Sequence, residues 1–192
     1  MILPPPPHRE RNLWMIGGTV VVSLAVAMAA TLFVLTEIRD TRNANGADLA
    51  ETGCHDFDLA SYERLFGQGP DDGGPGSGGD LACDWSHDDE DGGGLVIDAW
   101  TSTEAAQTYW DDEHAWWAAN ADDGATEVPG LGDAAFLFAQ GPAGEPQKRQ
   151  LMVLDGNRTI ATFCWIDPAA HSTADADAYL EDLAAQAIQL TG

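Results

Sequence analysis

Lysine is almost missing from this chain: Lys148 is the only one, and the 8 Lys and Arg residues face 32 Asp and Glu. Among the acids only Glu10, Glu37 and Asp40 precede Gly46, and among the bases Arg9, Arg11, Arg39 and Arg42 do. That leaves 29 acids against 4 bases from Gly46 onward, a net of −25. A field of that sign repels phosphate backbones and anionic headgroups, which excludes nucleic-acid binding, and it attracts cations or a basic partner. Adaptation to high salt or a GC-biased codon usage is a simpler source of the acidity than a dedicated basic partner.

Catalytic signatures are equally scarce. No helix-borne histidine pair, nucleophile elbow or phosphate loop occurs. Pro75-Gly76-Ser77-Gly78-Gly79 has proline where the elbow needs its first glycine, and no strand is expected before it. His55, His87, His114 and His171 are scattered, without the spacing of a base beside a nucleophile. Cys54, His55, Cys83 and His87 match no zinc-finger spacing. The acidic turn Asp88 to Gly93 lacks the Asp-x-Asp-x-Asp-Gly order that turns oxygens inward around calcium. A non-enzymatic chain without metal or cofactor is the expectation.

What is present begins with an apolar run of 22 residues, Trp14 to Leu35, free of charge. As a helix it reaches about 33 Å, enough to cross a hydrocarbon core of about 30 Å. Trp14 sits at the position of an interfacial aromatic. A cleaved signal peptide is the alternative, with Arg9 and Arg11 as its basic region and Ala27-Met28-Ala29 as its small-x-small triplet, but signal cores are only about 7 to 15 residues long. Arg9 and Arg11 place residues 1–13 in the cytoplasm as a short tail, and a single-pass helix over 14–35 then puts the rest of the chain outside the cell membrane. Residues 36–53 read as a polar stalk. No lipobox precedes Cys54, so a lipid anchor is disfavoured.

Residues 54–192 are enough for one core. Asp58 is the expected N-cap of a short helix carrying Leu59, Tyr62, Leu65 and Phe66, stopped by Gly67. Residues 67–80, dominated by Gly, Pro and Asp, are expected to be a mobile loop. Leu81 to His87 alternates and, after the acidic turn, Gly94 to Trp100 completes a hairpin. Thr101 and Glu104 form a capping-box pattern for a helix to about Ala121. Strands follow at Ala134 to Ala139, Gln150 to Leu154 and Thr159 to Ile166, the last two joined by the turn Asp155-Gly156-Asn157. Ser172 and Asp175 open a closing helix with an apolar stripe from Ala176 to Leu190. Short turns between strands imply an α+β domain, an antiparallel sheet with helices packed on it.

On the second helix Ala105, Ala106, Tyr109, Trp110, Trp116 and Trp117 share one broad face with Glu113 near its centre. Packing on the sheet, with Glu113 at the edge or paired with Arg64 or Arg158, is one reading. The sharper reading makes Tyr109, Trp110, Glu113 and Trp117 a ligand groove. Three cysteines on the oxidising side imply one disulfide and one thiol: Cys54 with Cys83, leaving Cys164 free, or Cys83 with Cys164.

The order Cys54, Tyr62-Glu63-Arg64-Leu65-Phe66-Gly67, Cys83-Asp84-Trp85, Pro129-Gly130-Leu131-Gly132-Asp133-Ala134 and an acidic, alanine-rich closing helix resembles a family of actinobacterial extracytoplasmic domains of unknown function. Members are lipoproteins or carry one N-terminal helix. The resemblance implies an α+β fold with its first two cysteines paired, and extends more distantly to extracytoplasmic sensor domains of bacterial Ser/Thr kinases. The chain departs from the lipoprotein members in lacking a lipobox and in carrying Cys164. No catalytic residues come with it. The expectation is a membrane-anchored binding or accessory module whose partner is an envelope protein, glycan or lipid. The alternatives are a sensor subunit acting through a membrane partner and, further off, an envelope hydrolase.

Overall fold

A computed structural model of the protein describes residues 49, 52–87, 91–122, 124–142 and 144–191, all within the unit Arg42–Gly192. Among the described residues no helix is long and apolar enough to cross a membrane. The run from Trp14 to Leu35 and the tail before it lie outside them.

The described chain is α+β, as its alternation implies. Seven strands, β1 Asp72–Pro75, β2 Leu81–Ser86, β3 Gly92–Ala99, β4 Thr126–Glu127, β5 Ala134–Gln140, β6 Gln147–Asp155 and β7 Arg158–Ile166, form one sheet. Its order is β1-β2-β3-β7-β6-β5-β4, and each neighbouring pair is antiparallel. Three α-helices accompany it: α1 Ala60–Phe66, α2 Thr103–Asn120 and α3 Thr173–Thr191.

Period-two alternation divides the sheet into two faces. On the first, Cys83, Trp85, Leu95, Ile97, Leu151, Val153, Ile160, Cys164 and Ile166 meet the stripe Ala176, Tyr179, Leu180, Leu183, Ala184 and Ala187 of α3, with α1 filling in through Tyr62, Leu65 and Phe66. Thr162, in the middle of this apolar face, donates its hydroxyl to the Leu180 carbonyl at 3.1 Å, which satisfies a buried polar group. Arg149 is buried on the same face and binds Asp177 of α3 through Nε at 2.7 Å and Nη2 at 2.6 Å. On the second face α2 lies over Phe136, Phe138, Met152 and Leu154.

Local rules explain the helix ends. Gly67 closes α1 at φ 79°, the left-handed conformation glycine adopts freely, and its N–H donates to the Glu63 carbonyl. The N-cap of α1 is Leu59, which makes no side-chain capping bond, rather than the expected Asp58, whose carboxylate accepts from Ala60 N at 3.0 Å just before it. For α2 the cap is Ser102, one residue beyond the expected Thr101, whose hydroxyl accepts from Ala105 N at 3.1 Å. Ser172 meets Asp175 N at 3.4 Å at the start of α3.

Four expectations need correction. Residues 67–80 are not loop throughout, because Asp72–Pro75 pairs with Cys83 to Ser86 as edge strand β1. The third strand begins at Gly92 rather than Gly94, so the two glycines expected in a turn, Gly92 and Gly93, carry ladder positions opposite Trp165 and Cys164. Thr126–Glu127 adds the short edge strand β4 against β5. The stalk assigned to 36–53 does not run free to its end: Leu49 is buried in the first-face core, and Thr52 N donates to its carbonyl.

Cys54 and Cys83 form the expected disulfide, with Cα atoms 5.5 Å apart and a separation of 29 positions in sequence, and Cys164 is free and buried. The bridge ties the 3₁₀ turn Cys54–Asp56 to β2. Closing a loop of that length limits the unfolded chain, so the double variant Cys54→Ser/Cys83→Ser is expected to lose about 3 kcal/mol in urea unfolding. An unchanged transition would contradict a structural role for the bridge.

Burial pushes the Cys164 thiol up from 9.0 to about 12, with Arg149 opposing and Asp177 and Asp91 adding to the rise. Burial, with Cys164 and Tyr62 behind it, also raises the Tyr179 hydroxyl well above its usual 10.0. Above about pH 9 the unfolded chain binds fewer protons than the folded one, so stability is complete below that pH and falls as pH rises toward 12. Urea midpoints measured across this window are expected to decline, less steeply in Cys164→Ala. A maleimide at pH 8 is expected to label Cys164 only after unfolding, and labelling of the folded chain would contradict its burial.

Candidate functional site

The aromatic residues of α2 spend their faces on one another and on the sheet. Trp110 is buried, edge-on to Phe136 at 5.5 Å and stacked on His114 at 5.1 Å. Trp117 stacks on Phe138 at 4.0 Å. Its indole N–H donates to Glu113 Oε2 at 2.9 Å, so this carboxylate meets a side chain of its own helix rather than Arg64 or Arg158. Tyr109 lies against Trp100 at 4.7 Å, whose own indole donates to Thr159 Oγ1. Trp116 leaves the expected stripe: it is 53% exposed and touches Trp117 edge-on. Tyr109, Trp110, Glu113 and Trp117 are thus neighbours on one helix, but their contacts clamp α2 to β5 and β6 instead of enclosing a space.

That clamp covers only part of the second face. Beyond it the ladder sets Asp84 opposite Gly94 and Ser86 opposite Gly92, Gly94 opposite Phe163 and Gly92 opposite Trp165, and Trp165 opposite Lys148 with Phe163 opposite Gln150. Side chains of two neighbouring rows therefore rise on the same side, with a gap at the two glycines. The result is a cleft of about 650 Å³, lined by Asp84, Ser86, Gly92, Pro146, Phe163 and Trp165, with Asp91 and Asp167 at the strand-end rim. Sites for small ligands fall in the range of about 300 to 1,000 Å³.

The floor demands glycine for reasons of space. A Cβ on Gly94 would stand 2.3 Å from the Cys83 carbonyl oxygen and 2.8 Å from both Asp84 Oδ1 and Phe163 Cζ. One on Gly93, which faces the other way, would meet the Tyr179 hydroxyl at 2.7 Å. Gly93 thus allows close helix packing on one face, and Gly94 lets Asp84 and Phe163 close over the strand on the other.

Trp165 is 49% exposed, a large ring left in solvent at the terminal pair of the β3–β7 ladder. Lys148 reaches across the shelf: its Nζ lies 4.8 Å from the Phe163 ring centre and 5.8 Å from that of Trp165. Burial lowers the pKa of this amine, and the Asp84 carboxylate works against that shift. At the rim Asp91 Oδ2 lies 3.0 Å from His171 Nε2, while His171 Nδ1 donates to the Leu65 carbonyl at 2.9 Å. The edge of the cleft is thereby pinned to α1 and to the approach to α3. Among the described residues no group of three or more His, Cys, Asp or Glu side chains is placed to hold a metal ion.

Nothing in the composition of β7 singles out Phe163 and Trp165, since Thr159 to Ile166 reads as one apolar strand. The signal lay in the opposing row, where three consecutive glycines deprive a strand of side chains. Compared with known protein families, with curated proteins and with solved structures, the chain matches none.

Truncating a buried ring and a solvent-facing ring should give different results. Trp110→Ala is expected to destabilise the fold by about 3 to 5 kcal/mol, the range for a large core aromatic. Trp165→Ala should leave the urea midpoint close to that of the parent chain, because half of its surface is already wet. A Trp165→Ala loss as large as that of Trp110→Ala would make Trp165 a core residue and remove it from the candidate site.

Proposed function

We propose that this chain is a binding or accessory module, held outside the cytoplasm by a single-pass helix over Trp14 to Leu35, and that its ligand sits in the cleft between the Asp84–Ser86 row and the Phe163–Trp165 shelf. The observation that carries the reading is the cleft on the second sheet face, where a half-exposed tryptophan stands beside Gly92 and the Asp84–Ser86 row. An aromatic face surrounded by a few polar groups is the usual composition of a ligand site. The anchor rests on the uncharged length of the N-terminal run, and the disulfide agrees with an oxidising compartment. The likeness to actinobacterial extracytoplasmic domains points the same way.

Binding rather than catalysis follows from the chemistry at the cleft. Ser86 is the one hydroxyl among its lining residues, and the next residue, His87, turns to Asp71 at 3.2 Å and to Gln68. Among the described residues no histidine or carboxylate is hydrogen-bonded to that hydroxyl.

Two measurements test the proposal together. A phosphatase reporter fused after Gly192 is expected to be active, which requires export, and an inactive fusion with normal expression would reverse the topology. Saturation-transfer NMR of the full chain with choline, spermidine, glycerol phosphate and an N-acetylglucosamine oligomer is expected to show at least one signal that Trp165→Ala removes. Identical spectra for parent and variant with all four compounds would refute the cleft as the site.

A further inference from the structure

The cleft already contains an example of what its shelf accepts. We propose that Phe163 and Trp165 form a seat for a small organic ammonium ion, and that Lys148 fills this seat as an internal substitute in the free chain. The inference rests on the cleft being the binding site and adds the class of ligand and the role of the lysine.

Lys148 is an unusual resident. It is the sole lysine of the chain, in a domain where 29 acids face 4 bases, yet among the described residues no carboxylate closes an ion pair with it, whereas Arg149 and Arg158 each have an aspartate partner. Its ammonium is instead held over two ring faces, where the negative centre of the π system attracts a cation. A lysine recruited for stability in so acidic a surrounding would have carboxylates to choose from. This one is partly desolvated without one, and desolvation outweighs the help from Asp84. Its stem of four methylenes lets the ammonium swing to solvent when another cation arrives.

The surroundings match an incoming cation. Asp84 stands across the glycine floor from Phe163, and Asp167 lies at the rim beside Asp91. The net charge of the domain raises the local concentration of cations and excludes anions, so glycerol phosphate and anionic headgroups are poor ligands. Gly92, the ladder partner of Trp165, lines the cleft without a side chain, so an alkylammonium group that displaces the Lys148 ammonium meets the Trp165 ring there unobstructed by that position.

The single lysine makes the test direct. Reductive methylation of the full chain with ¹³C-formaldehyde labels Lys148 and the α-amine alone and preserves the charge of both. The Lys148 methyl signal is expected upfield, under the ring currents of Phe163 and Trp165, and choline is expected to move it toward the position of a solvated lysine. Calorimetry is expected to show choline binding that weakens about tenfold in Trp165→Ala and tightens several-fold in Lys148→Met, which keeps the stem and removes the competing charge. Urea unfolding of both variants verifies that each is folded.

Choline binding that is unaffected by Lys148→Met, with no movement of the methyl signal, would overturn the substitution by lysine. If the N-acetylglucosamine oligomer binds in a Trp165-dependent way and choline does not, the cleft stands as a binding site and the ammonium seat falls. If neither binds, or binding ignores Trp165→Ala, the cleft reading falls with it.

Discussion

The alternation of strand β7 is the constraint on which the rest of this structure depends. Ile160, Thr162, Cys164 and Ile166 point to one face and are buried there with the helices. Ala161, Phe163 and Trp165 point to the other, and only the first of these lies among the residues packed around α2. A strand at the centre of a sheet serves two environments at once, and a register slip of one residue would exchange them. Pairing with β3 on one side and β6 on the other prevents that slip. The Thr162 bond to Leu180 and the Arg149 pair with Asp177 add polar contacts that are made only in this register.

The same constraint explains why the two helical layers differ. Apart from Trp85, the apolar side chains of the first face are mainly aliphatic, and α3 meets them with alanines and leucines that allow close approach, down to the Tyr179 hydroxyl over Gly93. The second face carries Phe136, Phe138 and Met152, and α2 stands on it through large rings. Rings of that size pack specifically but cover little width, so α2 covers β5 and β6 and leaves Asp84, Ser86 and Trp165 exposed beyond it. Among the described residues no second helix packs on this face, and the cleft lies where α2 does not reach.

Much of the fold was legible in the sequence, for reasons that can be named. The helices have capping residues and periodic stripes, and the five longer strands have alternation or continuous apolar runs. The disulfide Cys54–Cys83 was one of two pairings that the three cysteines left open. Strand β1 was not legible, because Asp72-Gly73-Gly74-Pro75 has no strand propensity and is held only by its partner β2. Gly92 and Gly93 failed for the same reason. Their place is set by Trp165 and Cys164 on the neighbouring strand, information that no local window contains.

The candidate site shows a subtler failure. Tyr109, Trp110, Glu113 and Trp117 are conspicuous because aromatics concentrated on a helix are rare, but concentration is also what a clamp between a helix and a sheet of phenylalanines requires. Their geometry is that of a clamp: stacked and edge-on rings at 4.0 to 5.5 Å, and a carboxylate committed to an indole N–H. A binding surface needs the opposite, side chains with faces left over. Whether a ring has a free face depends on what the remaining helices cover, a property of the assembled layers and not of any segment. Phe163 and Trp165 have such faces because the row opposite them is glycine and the helix beside them stops short. Among the described residues the cation lying over them is that of Lys148, which closes no ion pair there and is partly desolvated. The distinction between the two aromatic groups thus lies in whether a ring's second face is met by protein or by a charge that can leave.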